Sequence, residues 1–394
     1  TMAQVLLSIQ GLPCLGDMRW SCAFRHLKRA QLSVRLPSSS SSSCRHFSEI
    51  PASGDAVRHL DLRSDTPTKP TEAMLRAMVQ AEVGDSARGE CHVTRAFEEE
   101  LADLAGTEAA LFLPTCTMAN NIALLYLSNA CKAYSFACGR HSHIIRSEDF
   151  ANKILGLAPA LLDVGSGGLP DPESVQRALC DGASFVCLEN TTWSRGVAWD
   201  AVPSLPCPIH LDGARIWNAE VALQRPLAEL CAGAASVALC FSKGLGSPGG
   251  AALCASSEAV EEAQIWRRTL GGAMRRAPGQ LAAAAAAAFA GRRERLQEDH
   301  RRALQLRDGL TKLGGSIAND DAFAAGRATN VVLWRPEGNS REVADCLAKM
   351  GIQVRQNSAA VRFVLHGMVG DEDLSRVIEA CGLAVEKVCR SGQP

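Results

Sequence analysis

The chain has 394 residues, 47% of them hydrophobic, with 41 Lys and Arg against 42 Asp and Glu and a formal net charge of -1. That length buries a sizeable core in one large and one small domain, and the near-neutral balance argues against a nucleic-acid binder. The longest apolar stretch, Leu281 to Ala290, is mostly alanine and runs into Gly291, Arg292 and Arg293, so it is too short to span a bilayer and reads as a packed helix.

The first elements in chain order are compositional. Between Asp17 and Glu49 there is no acidic residue, while Arg19, Arg25, Lys28, Arg29, Arg35, Arg45 and a serine run all fall in that interval. Arg-rich, Ser-rich and acid-poor is the make-up of a mitochondrial transit peptide, with a generic disordered tail as the alternative. Residues 1–58 are therefore expected to be a targeting segment leading to the mitochondrial matrix, the alternative location being the cytoplasm. The folded part is expected as a large domain over 60–305 and a small C-terminal α/β domain over 306–390.

"TEAMLRAMVQAE" follows Pro70, offers Thr71 as an N-cap and sets Met74, Leu75, Met78 and Val79 on one helical face. "VTRAFEEELADLAG" repeats the period with Val93, Phe97, Leu101 and Leu104, and Gly106 stops it. Short apolar runs then alternate with helical stretches: "AALFL", "ALLDV", "SFVCLEN", "PIHLDGA", "SVALCFS" and "GAALCAS". This alternation predicts an α/β fold with a mostly parallel sheet between helices. A long charged helix follows over Arg292 to Leu313, and its mixed charges read as a solvated face. "TNVVLW", a helix from about Ser340 to Met350, "AVRFVL" and a last helix from about Asp371 make up the small domain.

In an open α/β sheet, ligands bind beyond the carboxyl ends of the strands, which directs attention to the polar residues after each apolar run. After "AALFL" come Thr115 and Thr117, where a starting helix offers free N–H groups to a phosphate, although on this motif alone ordinary N-capping is the better reading. After "PIHL" come Asp212 and Arg215, and after "SVALC" come Ser242 and Lys243. A lysine and a carboxylate at neighbouring strand ends suit pyridoxal phosphate, the lysine forming a Schiff base and the carboxylate keeping the pyridine nitrogen protonated. A purely structural role for the pair stays open on spacing alone.

"SKGLGSPGG" also contains a GxGxxG, which raises a dinucleotide oxidoreductase as a remote alternative. A Rossmann fingerprint needs its glycines to open a helix, whereas Pro248 interrupts this one and a further strand follows. The glycines are read instead as room for a cofactor on Lys243 and for a tight turn into the next strand. The cysteines scatter without a CxxC pair and read as free thiols of a reducing compartment. His141 and His143 lack further ligands at metal-site spacing, so no metal is expected.

Taken together, "DLRSDTPTKP", "FLPTCTMANNIAL", "HLDGARIWNA", "SKGLGSPGG", "WRRTLGGAMRR" and "RLQEDH" resemble the low-specificity L-threonine aldolases of mitochondrial type, within the β-eliminating-lyase-like branch of fold-type I pyridoxal phosphate enzymes. The match runs in order from about residue 60 to 385. The resemblance implies that Lys243 is the Schiff-base lysine, that Asp212 pairs with the pyridinium and that His143 stacks on the ring. It implies Cys116 and Thr117 at the phosphate, joined by Arg275 of a neighbouring subunit in a homodimer or homotetramer with shared sites. Ser64, Arg215 and Arg362 would hold the substrate carboxylate, and threonine or allo-threonine would be cleaved to glycine and acetaldehyde.

The sequence also departs from that family. Thr192 stands where the pattern Glu-Asn-Thr-His places a histidine near the substrate hydroxyl, and Arg88 stands where it has a tyrosine. Cys116 replaces a glycine, with an expected φ cost, and Glu148 is not followed by Gly-Gly. A lost general base costs about 10² to 10⁴ in rate, so a family member that keeps cofactor and fold but turns over poorly is the second reading.

Overall fold

The computed structural model describes residues 59–357 and 360–391; the expected targeting segment lies outside them. Helix α1 (Glu72–Gln80) starts at Thr71, whose hydroxyl accepts from Met74 N, and α2 (His92–Ala105) stops at Gly106 with φ 67°. α2 buries Phe97 and Leu101 as its period predicts, but on α1 only Met74 is fully buried, while Leu75 and Val79 are 47% and 86% exposed. Half of the predicted apolar face of α1 is thus uncovered within one chain.

Next come β1 (Ala109–Leu113), α3 (Cys116–Ala130), β2 (Ser135–Gly139), β3 (Ala158–Leu162), β4 (Val186–Glu189), β5 (Ile209–Gly213), β6 (Ser236–Cys240) and β7 (Ala251–Ala255). These strands form one seven-stranded sheet in the order β1-β7-β6-β5-β4-β2-β3. β7 is antiparallel to both of its neighbours and every other pairing is parallel. The strand at β2 has no counterpart among the six apolar runs, because "SFACG" carries a serine and small residues in place of a branched run. Burial of β5, β6 and β7 along their whole length explains their near-continuous apolar sequence.

Phe97, Phe112, Trp217, Phe241 and Phe289 pack one face of this sheet, with Phe97 and Phe241 centroids 5.2 Å apart. Burying such a side chain stabilises the fold by roughly 1.5–3 kcal/mol. The alanine helix Ala277–Ala290 packs into the same core through Ala282, Ala284, Ala285 and Phe289. No helix among the described residues is long and apolar enough to cross a membrane.

Helix α4 (Arg292–Lys312) leads to a second, antiparallel sheet of β8 (Ser316–Ile317), β9 (Val331–Arg335), β10 (Arg355–Asn357) and β11 (Ala360–Val364), in the order β10-β11-β9-β8. Helices α5 (Ser340–Lys349) and α6 (Asp371–Ser391) cover it, and Trp334, Val343, Leu347 and Phe363 centre its own core. Leu60 and Leu62 join that core, and Leu60–Asp61 pair in parallel with Ile352–Gln353. The segment continues to Arg63, whose carbonyl accepts from Arg362 Nη1 at 3.1 Å.

Candidate active site

The parallel strands end in polar residues that converge. The β6–β7 connection returns the chain antiparallel in ten residues, with Phe241 N donating to Gly250 O at 3.1 Å. Lys243 sits at its start, and its carbonyl accepts from Thr68 Oγ1 at 2.8 Å and from Gly246 N at 2.9 Å. Its backbone is therefore fixed while its amine has no hydrogen-bond or ion-pair partner among the described residues.

Two glycines of this connection meet the expected need for a tight turn into the next strand and also allow close packing. A Cβ at Gly250, where φ is 101°, would lie 2.6 Å from the Phe112 ring, and one at Gly246, where φ is 75°, would lie 3.0 Å from Arg295 Nη2. Both positions need the left-handed region and close contact together.

Asp212 at the end of β5 is 3% exposed; its Oδ1 accepts from Ala214 N at 3.0 Å and its Oδ2 from Asn120 Nδ2 at 3.2 Å. The same Nδ2 donates to Glu148 Oε1 at 3.2 Å. With both amide hydrogens directed at carboxylates, Asn120 Oδ1 must accept, and it lies 3.1 Å from His210 Nε2. His210 Nδ1 then accepts from Ser236 Oγ at 2.9 Å. Burial pushes the His210 imidazole down to about 4, which keeps it neutral in this single tautomer.

His143 follows β2 and heads the one-turn π-helix Ile144–Glu148. Its Nδ1 is 3.0 Å from Glu148 Oε1, which also accepts from Thr117 Oγ1 at 3.2 Å. A carboxylate only accepts, so Nδ1 carries the proton and Nε2 of neutral His143 is left as a base. Glu189, in register with Asp212, accepts from the backbone N–H groups of His143 and Trp193. Burial, followed by repulsion from Asp212, pushes the Glu189 carboxyl up to about 7. Thr192 is buried, and its hydroxyl accepts from Val197 N at 3.2 Å, which ties it to its own turn.

Thr115 caps α3 by accepting from Met118 N at 3.2 Å, and the N–H groups of Cys116 and Thr117 lie in the first turn, where the helix supplies no acceptor. Cys116 begins this right-handed helix and is absent from the positive-φ positions, so the expected φ cost of replacing glycine does not arise. Its thiol instead hydrogen-bonds Cys240 at the end of β6, which holds the Cys240 thiol down to about 6 and the Cys116 thiol up. Arg275 is well exposed, has a φ of 60° and pairs with Asp85 at 3.0 Å, so within its own chain its partner lies in the loop before α2.

The residues expected at the substrate carboxylate form one cluster around Asp65. Arg215 donates Nε to Asp65 Oδ2 at 2.8 Å and Nη2 to Oδ1 at 2.5 Å, and Ser64 Oγ donates to Oδ1 at 3.4 Å. Burial works against the Asp65 charge, but Arg215 outweighs it and holds the carboxyl well below the usual range. Arg362 on β11 donates Nη1 to Arg63 O at 3.1 Å and Nη2 to Trp193 O at 3.0 Å, and its buried Nε has no partner among the described residues. Burial, with the neighbouring Arg215 charge, pushes Arg362 down to about 9.

An unpartnered lysine amine, a buried carboxylate held by an amide, a helix N-terminus and an imidazole between them fit pyridoxal phosphate. Lys243 would hold it covalently, Asp212 at its ring nitrogen, and Cys116 N and Thr117 N at its phosphate. Asn120, Asp65, His210, Cys240 and Trp193 complete the site without having been singled out from sequence, and Glu148 and Glu189, noted there only as positions of the family pattern, join them. Asn120 and Asp65 stood inside the quoted motifs, but their partners are 92 and 150 residues away.

A family model for beta-eliminating lyases matches residues 61–325. Low-specificity L-threonine aldolase 1 of Arabidopsis thaliana is 35% identical over 342 residues, which are 81% of this chain and 94% of that protein. The low specificity L-threonine aldolase of Escherichia coli strain K12 is 34% identical over 333 residues, 81% of this chain and 97% of that protein. Among solved structures, Leishmania major threonine aldolase superposes with a TM-score of 0.62 at 15% identity, covering 84% of this chain and 98% of that one, which is a likeness of fold.

Proposed function

This chain belongs to the beta-eliminating lyase family, and from that premise we propose that it is a pyridoxal phosphate-dependent aldolase that cleaves threonine or allo-threonine to glycine and acetaldehyde. The observation that carries the reading is the Lys243 amine, fixed at its backbone yet unpartnered, at a strand end beside the buried Asp212. Bound there, the cofactor supplies an electron sink for the pair released when the Cα–Cβ bond breaks.

The chain's own residues supply the remaining steps. Asn120 fixes Asp212 and Glu148 through one amide, so the Asp212 charge stays where a ring nitrogen needs it. Arg362 and Arg215, with Ser64 beside Asp65, would hold the substrate carboxylate, and holding that group orients the bond to be broken. The β-hydroxyl proton passes to His143 Nε2, whose opposite nitrogen is anchored on Glu148. Thr192 keeps its hydroxyl on Val197 N and acts by shaping the wall.

Two further parts of the reading concern the whole assembly. The exposed Leu75 and Val79 on α1 and the outward Arg275 support an oligomer in which Arg275 reaches a neighbour's phosphate site. The acid-poor, Arg-rich stretch from residue 18 to 48 supports delivery to mitochondria.

The decisive experiment reads acetaldehyde from threonine with a coupled alcohol dehydrogenase, beside the visible absorbance of the lysine-bound cofactor. Wild type is expected to show both and Lys243→Ala neither. A wild-type protein that takes up the cofactor and releases no acetaldehyde would sink the aldolase reading.

A further inference from the structure

Beyond Arg362 lies a cavity of about 420 Å³ in which Arg146, Arg195, Arg335, Arg355 and Arg362 surround Trp193, with no Asp or Glu in its lining. Strand register explains why three of these charges share a wall. Arg362 on β11 is directly opposite Arg355 on one side and Leu333 on the other, and Arg335 is two residues beyond Leu333 on β9. Side chains two apart on a strand, or opposite in register, point to the same face.

Like charges directly opposed across a sheet repel, and among the described residues no Asp or Glu lines the cavity between them. Of the five, only Arg195 has a carboxylate partner among the described residues, Asp321 at 2.9 Å, and its buried Nε has no partner among them. Arg146, in the middle of the π-helix turn, has no side-chain partner among the described residues. The Arg355 guanidinium lies 4.9 Å from the Trp193 ring centroid and Arg362 lies 5.8 Å from it. Packing against a ring holds a guanidinium plane while its N–H edge stays free for a bidentate acceptor.

We propose that this cavity receives an anionic group carried by the substrate beyond Cβ, a carboxylate or a phosphate, so that the preferred β-hydroxy amino acid is acidic. This rests on the aldolase reading and names its substrate class. Arg362 stands at the inner end, toward the α-carboxylate, and the outer arginines meet the second anion. The step is the same retro-aldol cleavage: the β-hydroxyl loses its proton, the Cα–Cβ bond breaks, Cβ leaves as an aldehyde bearing the anion, and Cα takes a proton to become glycine. No oxidant or reductant is required.

The test compares kcat/KM for threo-3-hydroxyaspartate and for threonine in the cofactor-loaded full chain, wild type against the double variant Arg146→Gln, Arg335→Gln. Lost charge-assisted hydrogen bonds should lower the ratio of acidic substrate to threonine about tenfold, with the wild-type ratio above one. A second measurement, calorimetric titration of succinate, reads the cavity without turnover, and binding should weaken about fivefold in the variant. A ratio of one or less in wild type, or the same ratio in both proteins, overturns the substrate assignment, including the case where succinate binds as a free anion only. Absence of cleavage on either substrate would defeat the aldolase reading, and the succinate titration would still judge the cavity, since unchanged binding in the variant refutes it.

Discussion

At the Lys243 end of the cleft, Ser236, His210, Asn120 and Asp212 form a chain in which each donor meets an acceptor. At the Arg362 end, Arg146, Arg335 and Arg355 line a cavity that no described Asp or Glu lines. The two ends lie on different sheets and handle charge in opposite ways. A closed network in a low dielectric holds one geometry and one tautomer, which suits a cofactor that must be aligned. Open charge costs folding free energy until a ligand arrives, which suits a substrate that must come and go.

If that contrast holds, deleting a charge should have opposite consequences at the two ends. Asp65→Ala leaves Arg215, 5% exposed, buried without its partner, and breaking such a pair costs about 3–5 kcal/mol. Arg355→Gln removes one of two opposed cations and should be neutral or stabilise by about 0.2–1 kcal/mol. Urea midpoints of the two variants measure both. A stable Asp65→Ala protein, or an Arg355→Gln protein that loses as much as Asp65→Ala, breaks the comparison.

Glu189 sharpens it with pH. Its carboxyl is raised from 4.5 to about 7 by burial and by Asp212, so the unfolded chain releases this proton before the folded protein does. As pH rises from 4.5 towards 7, unfolding therefore releases a proton and stability falls; above 7 the cost is complete and flat. The shift corresponds to about 3 kcal/mol at 1.36 kcal/mol for each unit of pKa. Glu189→Gln loses one of two backbone acceptors at every pH but should remove this slope. Denaturation at pH 5 and at pH 7.5 gives the difference, and equal slopes in both proteins would refute the assignment.

Much of the closed end could be read along the chain, because parallel strands put their chemistry immediately after apolar runs. Lys243 and Asp212 stand where "SVALC" and "PIHL" end, and the periodicities of α2 and α4 give their own boundaries. What periodicity cannot show is which polar residue in a helix faces a distant strand. Asn120 lies inside α3 like any buried polar residue until β5 folds against it. The open end was illegible for a related reason: Arg335, Arg355 and Arg362 meet only through strand register. In sequence they are three scattered arginines. The glycines after Lys243 show a need for space in sequence without showing what fills it, and at Gly250 and Gly246 Phe112 and Arg295 come close.

Asn120 is where the closed end can be opened with the least disturbance. Asn120→Ala removes the one donor shared by Asp212 and Glu148 and leaves the His210 Nε2 proton without its acceptor. Unsatisfied buried groups of this kind cost about 1–3 kcal/mol, less than the Asp65 change because Asp212 keeps Ala214 N and Glu148 keeps Thr117 and His143. With its position loosened, Asp212 would hold the cofactor ring nitrogen less well, so pyridoxal phosphate retention on dialysis should fall about tenfold with the stability loss. Asn120→Asp separates the two effects: it restores an acceptor for His210 but sets a third carboxylate between two others. Retention should fall further than in Asn120→Ala. Equal retention in all three proteins would mean that Asp212 is held by its own backbone turn and that the network serves folding alone.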